Sequence, residues 1–326
     1  MRYYAGVDLG ATKIKAIVGT QSAEVVGEYR QPTPDGPTGI AVTEAVLDSV
    51  RCACEDADID PSAITAAGIG SFGPFDLAEG MVVSPANLPA SVEQIPLVGP
   101  METLIDSDRV YLHNDTTAAV IGERFHAERN PDDMVYITFS TGIGAGVAVD
   151  GHILSGWDGN AGEVGHLTID PTGRLTCGCG RDGHWEAYAS GSGIPRYARS
   201  LAETEPEGKT TSMPIDADDF TAATVFDYAG SDPLADLVID RVGTWNAIGV
   251  ANLVHAYAPL VVTVGGSVAL FNEEAILKPI RSSLDDLVIS NVPEIRLTSL
   301  GDDVVVHGAL ASALTRGTGD RSKGIA

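Results

Sequence analysis

Residues 156–186 read GWDGNAGEVGHLTIDPTGRLTCGCGRDGHWE, and they place His166, Cys177, Cys179 and His184 within one short stretch. Two thiolates and two imidazoles complete a tetrahedral zinc set with no position left open for water. Gly178, Gly180 and Gly183 allow turns tight enough to aim all four donors inward. The bland alternative is a Gly-rich loop with two idle thiols. A closed metal loop would fix the backbone around it, so no other stretch constrains the chain as strongly. It would also fix its neighbours. Glu163 stands three residues before His166 and Glu186 two residues after His184, ready to accept hydrogen bonds from a polyhydroxylated ligand. His166 could serve twice, with one ring nitrogen on the metal and the other on that ligand.

The 326 residues suffice for two domains, and 44% hydrophobic residues supply substantial cores. A net charge of −25 argues against a nucleic-acid surface. Only five of the 20 basic residues are lysine, and so acidic a surface fits a protein kept soluble in high salt. An ordinary acidic cytosolic protein is the alternative. Cys52 and Cys54 fall two apart in an expected helix, where side chains diverge, and read as buried packing. With no disulfide framework the expected compartment is reducing and cytoplasmic. Asp8 interrupts the first apolar run, so no signal peptide is expected, and no uncharged apolar stretch is long enough to span a bilayer.

Along the chain, glycine-bearing turns recur between strands. Tyr3–Asp8 followed by LGATKIKAIVG reads as strand, turn, strand. Gly10 permits close approach to a ligand, Thr12 and Lys13 offer a hydroxyl and an ammonium, and Asp8 could hold hydrated Mg²⁺. The spacing is not that of a P-loop. STGIGAG repeats the device at Ser140, Thr141, Gly142 and Gly144, with a strand expected at Val147–Asp150. Val261–Val264 runs into Gly265 and Gly266, which would let an adenine or ribose lie against the backbone; a plain strand-to-helix turn is the alternative. SFGPFD forces a turn at Gly73, and SPANLPA presents the Asn87 amide. Val110–His113 is a short strand, followed by Asn114 and Asp115 at its carboxyl end, where ligands bind in open α/β sheets. Asp115 also stands where the N-cap of a helix at 116–127 is expected. Other helices are expected at 38–57, from Asp232 to Tyr257, at 273–287 and at 307–316.

Together these stretches resemble the ROK family of sugar kinases, most closely its glucokinases. DLGATK is similar to that family's first phosphate motif, STGIGAG to its second and VGGSVA to its adenosine motif. GNAGEVGH followed by CGCGRDGHWE resembles its GExGH and zinc-loop signature, with His184 where a third cysteine is usual. SFGPFD lacks the usual PGP, and HND stands for the usual END.

The resemblance implies an α/β fold of the actin/hexokinase (ribonuclease H-like) type, two lobes about a central cleft. The first lobe would cover 1–114, completed by a C-terminal helix within 302–326, and the second 115–301. It implies ATP-dependent phosphorylation of O6 of glucose, with Asp115 as general base. Gly73, Asn87, Asn114, Glu163, His166 and Glu186 would contact the sugar. Asp8, Gly10, Thr12, Lys13, Ser140, Thr141, Gly142, Gly265 and Gly266 would hold ATP and Mg²⁺. His166, Cys177, Cys179 and His184 would hold structural zinc. A homodimer or homotetramer is implied, with no nucleic-acid or membrane partner. N-acetylmannosamine, N-acetylglucosamine, fructose or allose remain alternative acceptors, and ADP or polyphosphate alternative donors. Repressors of the same family carry an N-terminal DNA-binding domain, for which no room precedes Asp8; a non-catalytic sugar sensor is the remaining alternative.

Overall fold

The computed structural model describes residues 2–85 and 88–322. Strands β1 (Tyr3–Leu9), β2 (Lys13–Thr20) and β3 (Val25–Pro32) form a meander, followed by helix α1 (Gly39–Asp56) and strand β4 (Ile64–Ser71). A small three-stranded sheet, β5 (Phe75–Asp76), β6 (Met81–Val83) and β7 (Gln94–Pro96), precedes α2 (Val98–Ile105), β8 (Val110–Asn114) and α3 (Asp115–His126). Strands β9 (Met134–Phe139), β10 (Ile143–Val149) and β11 (His152–Ile153) lead to the glycine- and cysteine-bearing loop. Helices α4 (Glu186–Ala189), α5 (Gly193–Thr204), α6 (Ala222–Asp227) and α7 (Pro233–Tyr257) follow. The chain ends through β12 (Val261–Gly265), α8 (Ser267–Phe271), α9 (Glu273–Leu287), β13 (Glu294–Leu297) and α10 (Val304–Thr315).

Two five-stranded sheets result, ordered β3-β2-β1-β4-β8 and β11-β10-β9-β12-β13. In the first, β2 runs antiparallel to β1, while β4 lies parallel to β1 and β8 parallel to β4. The carboxyl ends of β1, β4 and β8 are therefore aligned, with Leu9 beside Ser71 and Ser71 beside Asn114. One face buries Val7, Leu9, Ile14, Val18 and Ile69 with Val46 and Val50 of α1. The other face receives α10. A β-carbon on Gly68 would lie 2.0 Å from the Ala309 carbonyl oxygen, so glycine is what lets that helix rest on the strand.

The chain makes two compact units, Met1–Met134 with Gly146–Gly162 and Asp302–Ala326, and Val135–Ala145 with Glu163–Gly301. Helix α3 thus falls in the first unit, not beyond a boundary at residue 114. The reason is close packing: a β-carbon on Gly122 of α3 would lie 2.8 Å from Gly308 of α10. Three further expectations are corrected. Strand β10 begins at Ile143 rather than Val147, because Gly142 closes the preceding turn. Helix α10 begins at Val304 rather than His307, since the apolar Val304 and Val306 extend its buried face. Cys54 is buried as expected, and burial pushes its thiol up to about 11, but Cys52 is only half-buried.

In the second unit the 25-residue helix α7 starts as its sequence dictates. Asp232 accepts the N–H groups of Leu234 and Ala235 at 2.9 and 3.2 Å, with Pro233 at the first helical position. The same carboxylate takes Ser212 N–H and the Thr211 hydroxyl, tying the segment between α5 and α6 to the start of α7. No helix among the described residues is long and apolar enough to cross a membrane.

Candidate active site

Within the first unit, the turn after β1 is closed by Gly10 N–H donating to the Lys13 carbonyl at 2.9 Å. Thr33 braces it, donating its hydroxyl to the Gly10 carbonyl at 2.6 Å and its N–H to that of Thr12. Thr12 is exposed at the tip. Asp8 lies beneath, and burial followed by the charge of Asp115 pushes its carboxyl up to about 7, against the pull of Lys13. Asp8 and Asp115, more than 100 residues apart, are therefore electrostatic neighbours, as the parallel register of β1, β4 and β8 requires.

The cap of α3 is Asn114, not Asp115. Asn114 Oδ1 accepts the Thr116 N–H at 3.0 Å and its hydroxyl at 2.7 Å. Asp115 is the first helical residue, and its Oδ1 also receives Thr116 N–H, at 2.7 Å. A carboxylate in the first turn is favoured by the helix dipole. His113, before it, meets Ser312 Oγ of α10 at 2.7 Å, and burial lowers its imidazole to about 4, so it is neutral. Gly73 lies two residues past β4, and Asn160 Oδ1 lies 3.5 Å from where a β-carbon on Gly73 would sit. Asn87 lies outside the described residues.

Within the second unit, the Ser140–Gly142 turn is closed by Ser140 N–H donating to the Gly142 carbonyl at 3.0 Å. Gly191 N–H donates to Ser140 O at 2.7 Å, and Ser192 Oγ to Thr141 O at 2.9 Å. Ser140 Oγ lies 3.5 Å from Ser267 Oγ, which brings this turn beside Gly265 and Gly266. Gly266 has φ +84°, and a β-carbon there would lie 2.4 Å from the Phe139 carbonyl oxygen. The second phosphate-type turn and the β12 glycines thus form one backbone-lined locus.

The donor atoms of His166, Cys177, Cys179 and His184 all lie within 4.8 Å of one another. Cys179 Sγ is 3.3 Å from His184 Nδ1, and Cys177 Sγ is 3.7 Å from His166 Nδ1. Zinc bond lengths of about 2.3 Å to sulfur and 2.05 Å to nitrogen give tetrahedral S···N edges of about 3.6 Å. The set fits a metal of that size and taste, and His184 points inward. His166 turns its Nε2 the other way, 3.8 Å from Glu163 Oε2. Glu163 is raised by burial and by the charge of Glu186, against the opposing effect of His166.

Two supports of this loop carry no motif. Trp185 is fully buried and donates Nε1–H to Asn246 Oδ1 on α7 at 2.9 Å. Its indole lies on Gly249, where a β-carbon would come within 2.4 Å of the ring. Tyr188 donates its hydroxyl to Asp170 Oδ2 at 2.6 Å and accepts Leu175 N–H at 2.9 Å, bracing the approach to Cys177. A glycine inside a long helix is the available sequence signal for the first; the second has none.

The sequence pattern of the ROK family matches residues 4–316. The chain belongs to the ROK family. It is 34% identical over 316 residues to a glucokinase of Pyrobaculum calidifontis, covering 96% of this chain and 95% of that one. Its fold matches the crystal structure of a ROK hexokinase from Thermus thermophilus with a TM-score of 0.78 and 32% identity, covering 95% and 97% of the two chains. A ROK family glucokinase from Streptomyces griseus, solved in complex with glucose and AMPPNP, matches with a TM-score of 0.73 and 31% identity over 95% of this chain and 99% of that one. The actin/hexokinase-like two-lobe α/β fold expected of this ROK chain is therefore the fold it has.

Proposed function

We propose that this chain is an ATP-dependent sugar kinase that phosphorylates O6 of glucose. The observation that carries the reading is Asp115, a carboxylate at the carboxyl end of a parallel strand and the first turn of α3, beside Asp8 and the first phosphate-type turn. Its support is membership of a family whose relatives include named glucokinases.

A sugar hydroxyl is a poor nucleophile at neutral pH and needs a base within hydrogen-bond reach. Asp115 takes the proton from O6 as that oxygen attacks the γ-phosphorus and ADP leaves. Asn114, Gly73, Glu163, His166 and Glu186 orient the sugar. Gly10 lets the phosphates approach the backbone closely, Thr12, Lys13, Ser140, Thr141 and Gly142 cradle them with hydroxyls, an ammonium and backbone N–H groups, and Gly265 and Gly266 receive the nucleoside. Asp8 would hold Mg²⁺, which supplies charge neutralisation at the phosphoryl oxygens. Zinc on His166, Cys177, Cys179 and His184 would order the loop that presents Glu163 and Glu186. Free thiols fit a cytoplasmic setting, and the acidic surface fits a salt-rich one.

The test is ADP release from ATP and Mg²⁺ with glucose, mannose, fructose, N-acetylglucosamine and N-acetylmannosamine, at low and molar KCl. Glucose-dependent release is expected. Release that no sugar stimulates at either salt, from folded protein, would refute the reading.

A further inference from the structure

Trp157 is 95% exposed. The other two tryptophans are held in place: Trp185 is buried against α7, and Trp245 donates its Nε1–H to Tyr197 at 3.2 Å. Isolated apolar residues on a surface need no occupant, but the setting of this indole differs. Its loop is pinned on both sides. Ala161 N–H donates to the Ser155 carbonyl at 3.1 Å, closing the base, and Asn160 N–H donates to Asp158 Oδ1 at 3.2 Å. Gly156 and Gly159 adopt φ of +75° and +82°, conformations that a side chain would strain. A β-carbon on Gly159 would lie 3.0 Å from Leu77 Cδ1, so the loop rests on the β5–β6 turn of the same unit.

This fixes where the loop stands. Asn160, three residues on, approaches Gly73, and Gly73 follows Ser71, whose register partner is Asn114 beside Asp115. A braced loop beside the turn assigned to the sugar therefore carries an uncovered indole. Hexopyranoses have an apolar C–H face as well as hydroxyl edges, and an indole offers a large flat apolar surface for the former.

We propose that Trp157 is the aromatic cover of the sugar site, packing on the C–H face of a neutral hexopyranose. This rests on the sugar-kinase reading and deepens it. Trp157 binds and selects the acceptor; it moves no proton, so its removal raises KM and spares kcat.

The experiment is acrylamide quenching of tryptophan emission from the full chain, with and without glucose and without nucleotide, alongside ADP release by the same samples. Saturating glucose should lower the quenching constant roughly twofold or more, because the accessible indole dominates quenching. Trp157→Phe should abolish that glucose-dependent change and raise KM less than Trp157→Ala does, since a smaller apolar ring keeps part of the contact. Trp157→Ala should raise the glucose KM roughly tenfold with little change in kcat. Quenching indifferent to glucose in protein that turns glucose over would overturn the proposal and leave the kinase reading intact. Wild-type KM in Trp157→Ala would do the same. Protection that follows protein concentration rather than sugar would also overturn it, in favour of contact between copies. Glucose protection without any ADP release would keep Trp157 in a sugar site and refute the kinase reading instead.

Discussion

Glu186 Oε2 accepts the backbone N–H of Ile143 at 3.0 Å. One carboxylate thereby joins the end of the cysteine loop to the turn that begins β10. Its other oxygen, Oε1, lies 3.7 Å from the Cys177 sulfur. The approach is possible because residue 142 is glycine, where a β-carbon would come within 2.5 Å of Oε2. Order in the cysteine loop and order in the Ser140–Gly142 turn are coupled through this side chain.

Gly142→Ala and Glu186→Ala should therefore resemble each other. Each is expected to lower kcat/KM roughly 10- to 100-fold, with KM for ATP affected as well as KM for glucose. The double variant should be little worse than either single one, because both remove the same contact. Additive losses in a double-mutant cycle would show that the two residues act separately.

Zinc should be present at about one ion per chain by elemental analysis. Cys177→Ser and stripping with a strong chelator should both lower the melting temperature and raise the glucose KM more than they lower kcat. Burial pushes the Cys177 thiol up to about 11, so loading the apo chain must displace a proton and should weaken as pH falls. His184→Cys should retain the ion, since thiolate is an equally competent ligand. A metal-free chain of full activity would end the structural-zinc reading.

Asp115→Asn should reduce kcat by roughly 10²- to 10⁴-fold. The amide still accepts the Thr116 N–H, so the start of α3 stays intact and glucose binding should persist by calorimetry. Retained turnover would remove Asp115 from the role of base.

Much of this is legible in the sequence. The turns at 8–13 and 140–144, the clustering of His166, Cys177, Cys179 and His184 and the Asp232 cap all announce themselves through residue type and spacing. What stays hidden depends on partners far along the chain. Nothing near Asp8 reveals Asp115 as its neighbour until β4 is placed between β1 and β8. The cap of α3 is ambiguous because Asn114 and Asp115 are both good capping residues, and only the backbone tells which one is still extended. The boundary expected after residue 114 fails for a similar reason, since the Gly122–Gly308 approach joins residues nearly 190 apart.

Arg124 illustrates the same limit and gives a stability prediction. Its guanidinium is wholly buried in the first unit and donates to the carbonyls of Pro131, Gly151 and Thr318 and to Asp132 Oδ1 at 2.6 Å. Arg124→Met would leave those acceptors without their donor at a cost of about 3 kcal/mol. Denaturant unfolding should show that loss. Arg124→Lys should recover only part of it, because an ammonium cannot reproduce the planar fork.

Asp8 gives a pH dependence whose sign is fixed by burial. Its carboxyl rises from 3.8 to about 7, first because burial removes water and second because Asp115 is charged. Between those two values the folded chain keeps a proton that the unfolded chain has released. Stability from this group is therefore present below about pH 4 and is lost as pH rises towards 7. Asp8→Asn removes the titration and nearly preserves shape. In melts without Mg²⁺ or nucleotide, the wild type should lose stability relative to Asp8→Asn as pH goes from 5 to 8. Adding Mg²⁺ at pH 8 should then recover the wild type and leave the variant unchanged, since only the carboxylate attracts the cation. Parallel melting curves across this range would mean that Asp8 is already ionised in the free chain, held so by Lys13 despite its burial.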